Sequence, residues 1–169
     1  MSKMNDNIAY VIGTIESLTG QPPVKKMLQK IVYLLEEKGV DLNCNYTLHF
    51  YGPYSARLDA KTLELSSEGA IAFDYSGYGH KMSIEQNYEV EPSLTKDELT
   101  IIESVISRYK EKTPSDLELL TTTIYAKKYT DAKSKDDIIN NVKIIKGNKY
   151  PDTEIEWAIK EFPYFGIEI

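Results

Sequence analysis

Residues 46–69, YTLHFYGPYSARLDAKTLELSSEG, constrain this chain more than any other stretch. Tyr46, Leu48 and Phe50 alternate with Thr47, His49 and Tyr51, the period of two expected of a strand with one buried face. Gly52-Pro53 then ends that strand, because proline brings no backbone donor and glycine admits dihedrals that other residues avoid. Ser55 is placed to cap a helix over 55–67, and Gly69 to end it. Strand, tight turn and helix follow one another without a linker, so the rest of the chain has to pack around them.

Upstream, Ile8, Val11, Ile12, Ile15 and Leu18 recur at helical spacing. Thr19-Gly20-Gln21-Pro22-Pro23 breaks that helix, and Pro23 suits the first turn of a second one over 23–38. The second helix buries Val24, Leu28, Ile31, Val32 and Leu35, each worth roughly 1.5–3 kcal/mol when fully buried. Lys26, Gln29, Lys30, Tyr33 and Glu37 are expected on its outer face. Downstream of the central helix, Ala70 to Phe73 reads as a strand. A Gly- and Tyr-rich turn over 74–80 leads back into Lys81 to Ile84, with Tyr88 to Val90 as a further strand segment. The order helix, helix, strand, helix, hairpin over 1–91 is that of a winged helix, with the hairpin as the wing.

Residues 92–169 read as helices throughout. Thr95-x-x-Glu98 is a capping box, Thr113-Pro114 starts a second helix through Leu117, Leu120 and Ile124, and Ser134 caps a third. Asp152 opens a fourth, with Ile155, Ala158, Ile159 and Phe162 inward. None is apolar on every side, so these helices are expected to pack on the first half and on each other. The predicted fold is one α+β domain, mostly α, with a winged-helix-like half and a helical bundle.

Composition excludes several classes. With 41% hydrophobic and 27% charged residues the chain is far from disorder. No window approaches the roughly 20 apolar residues of a membrane span, and the N-terminus lacks an apolar signal core. A soluble cytoplasmic protein is therefore expected. Cys44 is alone and sits in a polar loop, so no disulfide or cysteine-based zinc site can form within the chain. The net charge of −6 divides unevenly, with eight Lys and Arg against nine Asp and Glu through Ile84, and twelve against seventeen beyond. Nucleic-acid modules usually carry a basic surplus, which neither half has.

Two segments resemble a known family. Lys26-Met27-Leu28-Gln29-Lys30-Ile31-Val32-Tyr33-Leu34-Leu35 is similar to the K-LQK-VY-L signature of the SocA-like (Panacea) antitoxin domain. His49-Phe50-Tyr51-Gly52-Pro53-Tyr54-Ser55 resembles the same family's F-YGPYS segment. The YwgA-like group of bacterial proteins is closer still, since Asp116 to Ile124, DLELLTTTI, also has a counterpart there. The resemblance implies a partner protein that is neutralised or handed to a protease. The YwgA-like group has no assigned activity.

The candidate partner-binding residues are Lys26, Lys30, Tyr33, Tyr51, Tyr54 and Arg57. Tyr51, Tyr54 and Arg57 would form an aromatic and cationic patch beside a helix N-terminus. The competing reading is that Gly-Pro makes the turn and the tyrosines cover the core edge. The lysines and Tyr33 would either extend that patch or form a solvated face. A recognition helix over 55–67 would carry Arg57 and Lys61 against Asp59 and Glu64, which is poor for a major groove. His49 and His80 are far apart in sequence, no nucleophile elbow occurs, and no metal site, cofactor or catalytic set is expected. A protein-interaction module is therefore expected, binding a toxin, a protease or another protein. A DNA-binding regulator is the second reading, and a homodimer stays open.

Overall fold

Seven α-helices and two short antiparallel strand pairs make up the computed structural model, which describes residues 5–49 and 52–169. The fold is α+β and mostly α. In order, the elements are α1 (Asp6–Thr19), α2 (Lys25–Glu37), β1 (Thr47–His49), β2 (Gly52–Tyr54), α3 (Ala56–Ser67), β3 (Ile71–Asp74) and β4 (Lys81–Ile84). Four helices follow: α4 (Lys96–Tyr109), α5 (Pro114–Tyr129), α6 (Lys135–Lys146) and α7 (Asp152–Lys160), with a 3-10 turn at Phe162–Phe165. Among the described residues no helix is long and apolar enough to cross a membrane.

Local signals placed the helix starts. The Thr95, Thr113 and Ser134 side chains each accept from the backbone N–H three residues on, and Glu98, Asp116 and Asp137 return the bond. The Ser55 hydroxyl accepts from the Leu58 N–H at 2.9 Å, capping α3.

The strands differ from expectation. β1 is exposed along its length, and Leu48 remains 36% exposed. Gly52-Pro53 does not end a strand but begins one: β2 pairs back on β1 with Thr47 opposite Tyr54 and His49 opposite Gly52. The reason is tertiary. β2 lies against α2 and α5 with Gly52 and Pro53 buried, which leaves β1 as the outer edge. The expected inward Phe50 lies outside the described residues. The hairpin β3–β4 pairs Ile71 with Ile84, and 88–90 is not a strand. Met82 N–H donates to the Pro23 carbonyl at 2.9 Å, fastening the hairpin beside the start of α2 rather than to β1.

Burial corrects two further expectations. Gln29, Lys30 and Tyr33 are not on a solvated face: they are 4%, 2% and 3% exposed, because β2 and α5 cover that side of α2. Helix α5 is buried on every side from Leu117 to Ile124, including Glu118 and three threonines. One hydrophobic cluster runs from Ile8 and Val32 through Leu58 and Val105 to Leu120 and Ile155.

Candidate functional site

Three segments that are separate in sequence meet where β2 crosses α2 and α5. Gln29 grips the backbone of Ser55 from both sides: its amide nitrogen donates to the Ser55 carbonyl at 2.8 Å, and its oxygen accepts the Ser55 N–H at 2.9 Å. Lys30 Nζ donates to the Pro53 carbonyl at 2.8 Å. Tyr46 OH donates to the Gln29 carbonyl, and Ser55 Oγ to the Cys44 carbonyl. Gly52 holds φ +87°, and a Cβ there would stand 2.5 Å from Thr122 Oγ1 on α5. Only glycine permits both that dihedral and that approach. The Thr121 and Thr123 hydroxyls donate to carbonyls four residues back, at 2.8 and 2.7 Å, whereas the buried Thr122 hydroxyl has no partner among the described residues.

Beside this crossing a carboxylate is buried among lysines. Glu118 is fully buried; its Oε1 lies 2.8 Å from Lys26 Nζ, and its Oε2 lies 2.8 Å from Lys146 Nζ and 2.7 Å from Lys149 Nζ. Tyr150 OH donates to Oε2 at 2.7 Å. Burial alone would raise the Glu118 carboxyl; the bonds from Lys146, Lys149, Lys26 and Tyr150 outweigh it and hold the group well below the usual carboxylate range. Lys30 answers to the same cluster. Burial lowers its ammonium to about 8, with Glu118 opposing and Lys26, Lys146 and Lys149 adding to the shift. Four lysines around one carboxylate make this interior region electropositive.

The cluster opens outward along the N-terminal half of α2. Lys25, Lys26, Gln29, Lys30, Tyr54 and Asp59 line a groove of about 400 Å³. A second depression of about 550 Å³ shares Lys25 and Lys26 and is completed by Val24, Tyr78, Gly79, His80 and Pro114. Tyr78 at the hairpin tip is fully exposed, and Tyr75 is 63% exposed and packs edge-on against His80. Tyr54 OH bonds Asp59, chiefly for which reason its hydroxyl is pushed up to about 12.

The structure thus brings Lys26, Lys30 and Tyr54 to one groove. Arg57 is exposed on the first turn of α3, where its Nη1 donates to Asn43 Oδ1 at 2.8 Å. Tyr33 lies further along α2 and lines a different cavity. Tyr51 lies outside the described residues. Cys44 lies in the polar loop before β1 with its side chain fully buried, and burial, with Glu36 beside it, pushes its thiol up to about 12. Among the described residues no group of three or more His, Cys, Asp or Glu could hold a metal ion. The sequence reading missed Glu118, Thr122, Lys146 and Lys149. One signal was available, a glutamate and three successive threonines inside an apolar helical run, LELLTTTI.

The chain is similar to "Uncharacterized protein YwgA" of Bacillus subtilis (strain 168), 24% identical over 140 residues that span 80% of this chain and 82% of that protein. No family model matches the chain.

Proposed function

We propose that this chain is a non-enzymatic protein-interaction module, antitoxin-like or adaptor-like, that receives an acidic segment of a partner protein along the N-terminal half of α2. The observation that carries the reading is the pair of adjoining depressions sharing Lys25 and Lys26 and flanked by Tyr54 and the exposed Tyr78. Stiff amphipathic rings beside ammonium groups suit a partner that offers both carboxylates and apolar contacts. The N-terminus of α2 adds its own partial positive charge. A toxin or a protease is the partner class that the resemblance to SocA-like antitoxins implies, and the reading takes it over from there.

DNA ranks second. Arg57 and Lys61, the cations of α3, are held by Asn43 Oδ1 and by the Leu42 carbonyl at 2.8 and 2.7 Å, and neither half of the chain has a basic surplus.

Affinity capture with the wild-type chain and with Lys25→Glu, Tyr54→Ala, Arg57→Ala and Tyr78→Ala variants tests the proposal. A purified partner whose binding weakens at least about tenfold with Lys25→Glu and Tyr78→Ala supports the groove. Undiminished capture of every partner by all four variants removes it. An electrophoretic shift that collapses steeply with added salt would instead favour the DNA reading.

A further inference from the structure

At the opposite end of α2 lies a second cavity of about 410 Å³, lined by Tyr33, Glu36, Glu37, Asn45, Tyr46, Tyr125, Lys128 and Tyr129. It falls within the size range of small-ligand sites. From its geometry we propose that this cavity binds a guanidinium group, from a free guanidino compound or from an arginine side chain of a partner.

Four tyrosine rings form its walls in two pairs. Tyr33 and Tyr46 meet edge to face with centroids 5.1 Å apart, and Tyr125 and Tyr129 lie 4.8 Å apart. Ring faces attract cations, and a planar guanidinium also stacks on them. Two carboxylates share the cavity at the C-terminal turn of α2, where the helix carbonyls add partial negative charge. Glu36 accepts the Leu42 and Cys44 N–H groups on one oxygen, Oε2, at 3.1 and 3.2 Å. Glu37 pairs with Lys128 Nζ at 2.6 Å, so the walls already hold one cation, 6.0 Å from the Tyr129 ring.

The independent pointer to a ligand is Tyr33. The residue is 3% exposed and, among the described residues, its hydroxyl makes no hydrogen bond of good length and angle, with the Glu37 carboxylate as its polar neighbour. Burial, then Glu37, hold that hydroxyl far above the ordinary range, so it stays protonated and neutral. A neutral phenol oxygen accepts an N–H readily, and a guanidinium presents five such donors in a rigid fork. One edge of the fork can face Glu36 while its plane lies against Tyr129, which is 58% exposed and forms the mouth. Reaching the Tyr33 hydroxyl, which has no accessible surface, requires the side chains over it to move aside.

Isothermal titration with agmatine, with a blocked Gly-Arg-Gly peptide and with the uncharged ethylurea tests this. Saturable binding of a guanidinium probe is expected, with no heat from ethylurea, and whichever guanidinium probe binds more tightly identifies the source. Tyr33→Phe removes the hydroxyl without removing the ring, so the urea midpoint should hold while affinity falls several-fold. Tyr129→Ala should weaken binding about tenfold, and Lys128→Met should tighten it by removing a competing cation. Absence of binding at about 10 mM probe, or binding unmoved by both tyrosine substitutions, overturns the inference.

Discussion

Gly52→Ala should be among the most damaging single-methyl additions to this chain, and the structure says how much of the damage passes through one atom. At φ +87° an alanine pays the left-handed penalty of about 1–2 kcal/mol. Its methyl would stand 2.5 Å from Thr122 Oγ1, an overlap that forces β2 away from α5 and adds about 1–3 kcal/mol. The other neighbours, Lys30 Nζ at 3.5 Å and the Glu118 carbonyl at 3.7 Å, are at ordinary contact distance. Thr122→Ala alone removes a hydroxyl that has no partner among the described residues, which is near neutral, and a buried methyl worth about 0.8 kcal/mol. In the Thr122→Ala background the overlap is gone, so Gly52→Ala should cost only its dihedral penalty. The cycle predicts a coupling of about 1–3 kcal/mol, with the double variant more stable than the sum of the singles. Urea unfolding measures it, since about 2 kcal/mol displaces the midpoint by roughly 1 M at a typical slope. An equal cost of Gly52→Ala in both backgrounds would refute the close approach of β2 to α5.

Three other outcomes follow from the same region. Glu118→Gln removes the negative member of the cluster and leaves Lys146, 5% exposed, among uncompensated ammonium groups, so urea unfolding should register a loss of about 3–5 kcal/mol. Lys30 has a folded-state pKa of about 8 against 10.5 for an ordinary lysine, so between these values the unfolded chain binds more protons and stability rises with pH. Cys44, pushed up to about 12, and the buried tyrosines pull the other way in this range. The Lys30 contribution is therefore read as the stability of the wild type minus that of Lys30→Met between pH 8 and 9.5, a difference that should rise by no more than about 1.4 kcal/mol per pH unit. Cys44, buried and with its thiol pushed up to about 12, should react with an aromatic disulfide reagent at neutral pH only after denaturant is added.

What the sequence made legible is what is decided within about four residues: three capping boxes, the Ser55 cap, and the amphipathic spacing of α1 and α4. What it hid is decided by partners far along the chain. Periodicity marks Lys26, Lys30 and Tyr33 as the polar side of α2, and a polar side faces water unless another element brings matching groups. Here β2 brings the Pro53 carbonyl 23 residues away, and α5 brings a glutamate that Lys149 then meets from 31 residues away. The same contacts bear on what the shared segments mean. Gln29 with Ser55, Lys30 with Pro53, and Gly52 with Thr122 knit the K-LQK-VY-L, YGPYS and LELLTTTI runs into one junction. Those runs are therefore accounted for by the crossing of β2 over α2 and α5, with no partner invoked. A family likeness carried by such residues predicts a common frame. Under the proposed function, discrimination between partners would fall to side chains that the junction leaves outside, such as Lys25 and Tyr78 at the two depressions and Arg57 on the first turn of α3.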